Sequence, residues 1–403
     1  MIDIHIARQP IFTRSLDVVG YELLYHSPGQ DQAGVKDSDQ ATMQVILNAF
    51  SEIGMETLIG KSRAFINLSR NFIIGKLPIP LPPDRVIFEI PESTVADPQL
   101  LDALRTLARQ GYELALDDVT SALKIPPYLG LMRIMKVNIK KVNRVTLPQL
   151  VYELRQYPFR LLAEKVETQE EFNLAIRLGF DYLQGYFLCK PSLVSSRTLD
   201  PMRLVVLRSL SKLQDPKASF ESLEAIVAQD PVLSFKLIKL INSAYYSLNT
   251  QVKSLRQAIS LIGINNLRGW ISLLLMTNIK NKPHELSNIA LQRAKMAEGL
   301  ARAVGEPQVE TYFLAGLFST LDAMMDMPMD RVLANIPLSD EVMNGLLTRQ
   351  GKIGAILNAV ISYELGNWEP VTRLNIKAEK VNEIYLESIH WAQTIIKVAM
   401  EEK

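Results

Sequence analysis

The stretch RLLAEKVETQEEFNLAIRLGFDYLQGYF, residues 160–187, holds a strand, a helix and a second strand in succession. Arg160–Val166 and Tyr182–Phe187 are apolar runs of strand length. Between them TQEEFNLAIRLGF (168–180) repeats its apolar residues at helical spacing. Thr168 followed by Glu171 has the spacing of a capping box, and Gly179 stands where a C-terminal cap belongs. Both apolar runs also give way to a polar group: Glu164 follows RLLA, and Gln184 follows Tyr182-Leu183.

The same grammar extends outward. Val18–His26, Arg63–Leu68, Val86–Ile90, Tyr112–Asp117 and Ile134–Ile139 read as further strands. Helical patterns fall at 42–54, 96–111 and 147–157, the second opened by Asp97-Pro98 and closed by Gly111. Such alternation predicts parallel βαβ units, either doubly wound or closed into a barrel. The polar residues favour the barrel. Glu22, Asn67, Glu89, Asp117-Asp118, Lys136, Glu164 and Gln184 lie at or near the C-terminal ends of seven consecutive strands. In a (β/α)₈ barrel those ends meet at one mouth, where active sites are built, whereas a doubly wound sheet needs only one or two at its switch point. A single Glu or Asn after a strand is usually a cap or a loop residue; seven in phase are a site.

The side-chain types indicate its chemistry. Five carboxylates (Glu22, Glu89, Asp117, Asp118, Glu164) and the Asn67 amide form a hard-oxygen set suited to Mg²⁺ or Mn²⁺. Two such metals sharing a carboxylate could activate a water and stabilise a leaving oxygen in phosphodiester cleavage. Lys136 would place a positive charge beside the water or the phosphate.

The motifs RQPIF (8–12), GYELL (20–24), INLS (66–69), FEIPES (88–93), LALDD (114–118), MKVN (135–138), LLAEKVET (161–168) and LQGYFLCKP (183–191) resemble the EAL phosphodiesterase family. Its members cleave cyclic di-GMP to the linear dinucleotide pGpG. The resemblance implies that Glu22, Asn67, Glu89 and Asp117 bind one metal, and that Asp117, Asp118 and Glu164 bind a second. Lys136, Glu164 and Asp118 would then carry catalysis. Gln184 and His26 would face substrate, with Glu92 and Glu167 in support behind the metal ligands. The chain departs from the family at Leu23 (Ala in the signature), His26 (usually Arg), the glycine-free loop VTSALKIPP (119–127) and Asn138 (usually Asp). The resemblance implies a phosphodiesterase that lowers a messenger governing motility and biofilm formation. The alternatives are a degenerate receptor that binds cyclic di-GMP uncleaved, or a protein-interaction scaffold. Relatives of this kind commonly dimerise through the barrel.

Past residue 200 the strands stop and helical patterns follow one another: 220–229, 231–246, 255–263 and 289–305. LEAIVAQDPVLSFKLIKLINSAYY (223–246) and VKSLRQAISLIGINNLRGWI (252–271) resemble an HDOD domain, a helical relative of metal-dependent HD phosphohydrolases. Where an HD enzyme needs its His-Asp pair, AGLFSTLDAM (315–324) has Ser319-Thr320. The half is therefore expected to be non-catalytic and to contact unknown protein partners. His284 and His390 read as solvated or core residues, and Met324, Met325, Met327 and Met329 as core more readily than as a docking surface. The expected architecture is α/β plus all-α, a TIM-like (β/α) barrel over 1–195 and a helical HDOD domain over 196–403.

Composition bounds the rest. At 403 residues and 48% hydrophobic, the chain can bury two cores. Its 44 basic and 43 acidic residues give no global pull toward nucleic acid or an anionic membrane. One cysteine, Cys189, excludes an internal disulfide. The longest strongly apolar run, Trp270–Met276, is far short of the ~20 residues that span a bilayer. With an N-terminus unlike a signal peptide, the expectation is a cytoplasmic protein.

Overall fold

A computed structural model of the chain describes residues 5–26, 55–75, 79, 81–121, 128–189, 201–215, 263–277 and 282–400, with scattered positions between 217 and 279. The helix expected at 42–54, the loop at 122–127 and most of the patterns at 220–229, 231–246 and 255–262 lie outside them. The chain divides into two compact units. One is Met1–Leu188 with Tyr363–Trp368, and the other is Cys189–Ser362 with Glu369–Lys403.

The first unit is a closed barrel of eight strands in sequence order. They are β1 (His5–Thr13), β2 (Val18–His26), β3 (Arg63–Asn67), β4 (Val86–Pro91), β5 (Glu113–Val119), β6 (Ile134–Asn138), β7 (Arg160–Glu164) and β8 (Tyr182–Gln184). Six pairs from β2 to β8 are parallel, while β1 runs antiparallel to both β2 and β8 and closes the ring. The expectation of seven strands is thus one short. HIARQPIFT lacks alternation and carries Pro10, which has no N–H for a ladder and demotes a strand reading. The strands expected to reach Val166 and Phe187 are shorter. Lys165 takes a left-handed φ of 59°, which ends β7, and Tyr186–Cys189 coil into a 3-10 turn.

The interior of this barrel is layered. Ile11, Phe65, Ile87, Ala115, Ile134, Leu162 and Tyr182 pack into one buried apolar floor. Side chains two apart on a strand share a face. The next inward position on each parallel strand is therefore Asn67, Glu89, Asp117, Lys136, Glu164 and Gln184. On β1, which runs the other way, it is Gln9, and on β2 Glu22 stands two beyond Gly20. A Cβ at Gly20 would lie 2.6 Å from the Arg63 carbonyl oxygen and 2.8 Å from the Phe65 ring, so glycine leaves the floor room for that ring.

Helices follow the strands: α1 (Met55–Ile59), α2 (Arg70–Ile73), α3 (Pro98–Arg109), α4 (Leu147–Leu154) and α5 (Gln169–Leu178). Asp97 caps α3 by accepting from Leu100 N at 2.8 Å, and Leu100, Leu104 and Leu107 form its buried face. At α5 the capping box is complete: Glu171 N donates to Thr168 Oγ1 and Thr168 N to Glu171 Oε2, both at 3.2 Å. Such a cap is worth about 1 kcal/mol. Gly179 ends α5 at φ 90°.

The described residues of the second unit are helical. α6 (Pro201–Gln214) and α7 (Ile264–Thr277) precede α8 (His284–Ala303), which packs against α9 (Val309–Phe318) and α10 (Ala378–Met400). α8 owes its central place to small residues: Ala290, Ala294, Ala297 and Ala301 are all buried. A Cβ at Gly316 of α9 would lie 2.5 Å from the Arg293 carbonyl oxygen, so these two helices meet backbone to backbone. Trp391 packs against Trp270 and Phe313 at ring distances of 5.5 and 5.8 Å. His284 and His390 are exposed, while Met324 and Met325 are buried in the core. No helix among the described residues is long and apolar enough to cross a membrane.

Candidate active site

The polar layer above the apolar floor centres on the Lys136 ammonium, which is fully buried. Its Nζ lies 3.3 Å from Glu22 Oε2, 3.1 Å from Asp117 Oδ1 and 2.9 Å from Glu164 Oε1, and it donates a close hydrogen bond to Glu89 Oε1. Four strands thus aim carboxylates at one lysine from a fifth. Gln184 Nε2 ties the ring together, donating to Glu22 Oε2 at 2.6 Å and to Gln9 Oε1 at 2.9 Å. Asn67 Nδ2 donates to Glu89 Oε2 at 3.0 Å and to Glu22 Oε1 at 3.5 Å. Gln9 went unread in the sequence because its strand did. Its signal was only the phase it shares with Ile11.

Four carboxylates around one ammonium leave the layer short of positive charge, and burial shifts their proton affinities accordingly. Burial raises Glu89 well above the ordinary carboxylate range, aided by the charges of Glu22 and Asp117 and opposed by Lys136. Burial likewise lifts Glu164 to about 7 against the pull of Lys136, with Asp117 and Glu22 adding to the rise. At Glu22 burial also pushes upward, but Lys136, the Gln184 amide and Lys165 together hold the carboxyl below its usual value. Burial disfavours the Lys136 ammonium, yet the charges of Glu22, Glu89, Glu164 and Asp117 hold its pKa far above the ordinary lysine range.

A pH dependence follows. Glu164 keeps a proton in the folded chain up to about 7, while the unfolded chain loses it near 4.5. Its contribution to stability is therefore full below 4.5 and is lost as pH rises toward 7, with Glu89 acting in the same sense. Glu22 acts oppositely, its contribution fading as pH falls below its ordinary range. In EDTA, urea unfolding should favour Glu164→Gln over the unmutated chain by a margin that grows between about pH 5 and 7.5. A constant margin would contradict a burial-raised carboxyl.

The remaining expected residues lie around this layer. Asp118 follows Asp117 at φ 61°, and its carboxylate is taken up by Lys141 and by Asn138 Nδ2, the latter at 3.3 Å. Glu92 accepts from Thr120 Oγ1 at 3.0 Å, and its N–H donates to the Asp117 carbonyl at 2.9 Å, bracing the end of β5. Glu167 lies 3.5 Å from Lys140 Nζ, which also donates to Glu171 at 2.6 Å, so it belongs to the start of α5. His26 is the last residue of β2, and its side chain lies outside the described residues. Lys165 follows Glu164, exposed and left-handed, adding a positive charge that acts on Glu22.

As it stands, no group of three or more His, Cys, Asp and Glu among the described residues is arranged to hold a metal ion. The carboxylates converge on Nζ instead. The donor chemistry nevertheless fits a hard divalent cation: all the oxygens are carboxylate or amide, charge is short, and Gln184 Oε1 is buried with no hydrogen bond. Asn67 would join such an ion with its amide turned over, an exchange of O for N that leaves its shape unchanged.

In the helical unit Ser319 and Thr320 are buried between α9 and the helix Leu321–Met325. Ser319 Oγ donates to the Gly316 carbonyl at 2.7 Å and lies 3.4 Å from Nη1 of the fully buried Arg293. Thr320 Oγ1 donates to the Leu317 carbonyl at 3.4 Å.

Residues 62–191 match the EAL domain family, and residues 199–327 match the HDOD domain family. Over 407 residues the chain is 32% identical to YuxH of Bacillus subtilis, covering 98% of this chain and 99% of that one. The chain belongs to the EAL–HDOD family. Over 408 residues it is also 32% identical to the cyclic di-GMP phosphodiesterase CdgJ of Vibrio cholerae, covering 98% of this chain and 94% of that one. The EAL match begins at β3, so β1 and β2, with Gln9 and Glu22, precede it. Among solved structures, the EAL domain of FimX from Pseudomonas aeruginosa bound to c-di-GMP is 20% identical, covers 46% of this chain and 89% of that one, and gives a TM-score of 0.38.

Proposed function

We propose that this EAL–HDOD protein is a metal-dependent phosphodiesterase that opens cyclic di-GMP to linear pGpG, lowering a messenger that controls motility and biofilm formation. The observation that carries this reading is the layer of eight polar groups, one from each barrel strand, with four carboxylates converging on a buried lysine. Relatedness to CdgJ along nearly the whole chain supports it.

In this reading Glu22, Asn67, Glu89 and Asp117 hold one divalent ion, and Asp117, Asp118 and Glu164 a second, Mg²⁺ or Mn²⁺ being the ions such oxygens prefer. Bound there, the ions would activate a water and neutralise charge on the phosphodiester. Lys136 is too firmly protonated to act as a base, so its part is a fixed positive charge that draws the carboxylates together and meets charge developing on the phosphate. Gln184 orients Glu22 through its 2.6 Å hydrogen bond and, with His26, faces the substrate. Glu92 braces the end of β5 through Thr120, and Glu167 stands in support at the start of α5 beside Lys140. In the reaction the water oxygen bonds to phosphorus while one bond to a ribose oxygen breaks. That ribose oxygen takes up a proton, and the ring opens to a dinucleotide ending in a phosphate.

The barrel, residues 1–195 in this reading, works in the cytoplasm, and the helical half, 196–403, contacts protein partners or a second copy of the chain. A second reading, binding without cleavage, is favoured by one observation: Asp118 is already engaged by Lys141. Purified protein incubated with cyclic di-GMP and Mg²⁺ or Mn²⁺, with pGpG followed by chromatography, decides between them. Metal-dependent product that falls at least about a hundredfold in Glu22→Ala is the expected result. Binding of the dinucleotide with no product would establish a receptor.

A further inference from the structure

The two adjacent aspartates of β5 are sent to two different lysines. Asp117 faces Lys136, while the left-handed φ of 61° at Asp118 turns its carboxylate to Lys141. Both oxygens of Asp118 are engaged, Oδ2 by the Lys141 ammonium and Oδ1 by the Asn138 amide at 3.3 Å. The turn that presents Lys141 is itself fixed. Lys141 N and Val142 N donate to the Asn138 carbonyl at 3.0 and 3.3 Å, and Asn138 Oδ1 accepts from Lys140 N at 3.1 Å. Asn138 thus spends its amide nitrogen on Asp118 and its amide oxygen on the turn that carries the lysine. The reach of the Lys141 charge is not confined to Asp118, since it also acts on Asp117 and Glu164.

We propose that Lys141 is a tethered cation standing in for the second divalent ion, so that this chain holds one divalent ion tightly and admits a second only by displacing the lysine. The inference rests on the phosphodiesterase reading of the site and specifies how its second cation position is controlled. Asp118, Asp117 and Glu164 are the carboxylates expected at that position, and they are the ones Lys141 acts on. The lysine side chain is 55% exposed, so it can swing into solvent without opening the barrel. Lys141 is on this account a positioning residue that sets metal occupancy. Raising free metal, or bringing up a substrate phosphate that draws the ammonium away, converts a one-ion site to a two-ion site.

The test is Mn²⁺ titration of the full chain after chelator treatment, by calorimetry and by counting free Mn²⁺ in electron paramagnetic resonance. The unmutated chain is expected to show one tight ion and a second weaker by about tenfold or more. Lys141→Ala should tighten the second ion roughly tenfold and the first, which shares Asp117, much less, the effect of one unit charge a few ångströms from a divalent ion in a water-like dielectric. Lys141→Arg, which keeps the charge, should behave as the unmutated chain. Equal affinity for the second ion in the unmutated chain and Lys141→Ala overturns the assignment; if both also form pGpG, the phosphodiesterase reading survives it. A chain that binds no Mn²⁺ and forms no pGpG in either version overturns both.

Discussion

Lys136→Met should lower turnover of cyclic di-GMP by about 10³- to 10⁴-fold, and in EDTA near neutral pH should also destabilise the barrel by about 3–5 kcal/mol. Among the described residues the lysine is the one cation paired with all of Glu22, Glu89, Asp117 and Glu164, and both it and Glu89 are fully buried. Removing one partner of a buried pair leaves the others without compensation, and here four carboxyl groups lose their shared cation. Acid should shrink the stability loss, because the carboxylates then take up protons. Divalent ions should shrink it too, by supplying the missing charge. They should not restore turnover, since the fixed charge beside the phosphate is still gone. Denaturation curves with and without Mg²⁺, read beside the rate of pGpG formation, separate the two roles. Stability lost equally with and without metal would mean that the carboxylates do not share a cation site.

Gly185→Ala should cost more than about 3 kcal/mol and abolish activity with it. Gly185 has φ 150°, and a Cβ there would sit 2.0 Å from the Val166 carbonyl oxygen and 2.5 Å from Val166 N. Those are backbone atoms and cannot rotate away. They are also in use: Val166 N donates to the Gln184 carbonyl at 3.0 Å, and Phe187 N to the Val166 carbonyl at 3.1 Å. Pushing this crossing apart moves Glu164 and Gln184, two members of the polar layer. Gly130→Ala is the control, because Gly130 has open space around its Cβ position and no left-handed φ. A Gly185→Ala chain as stable as Gly130→Ala would show that the crossing between β7 and β8 relaxes freely.

The barrel was legible in the sequence where side-chain phase and chemistry agreed. From β3 to β8 each strand carries an apolar residue for the floor and, two positions on, a polar one for the layer above, as with Ile87 and Glu89 or Ile134 and Lys136. That pattern survives in sequence because period two is a property of the extended chain itself. The capping box at Thr168 was equally plain, being a purely local device. What stayed hidden was non-local. β1 has no pattern of its own, and its place depends on β8, far along the chain. The Asp117-Asp118 pair reads as two neighbouring metal ligands, yet a backbone angle sends them apart. Lys141 gives no sign in sequence of the aspartate it will meet, because the meeting is made by the turn at Asn138.

The seam between β1 and β8 bears on how the newborn chain survives its own synthesis. Gln9 and Gln184 are 175 residues apart, and at ~5–20 residues per second their strands are separated on the ribosome by roughly 10–35 s. Through that interval β1 can pair with β2 on one side while its other edge waits open. An open edge invites strands from neighbouring nascent chains, and proline is among the residues that blunt such edges. Pro10 offers no N–H to a foreign strand. The residue that conceals β1 from a reader of the sequence also makes it a poor template for aggregation until its true partner has been made.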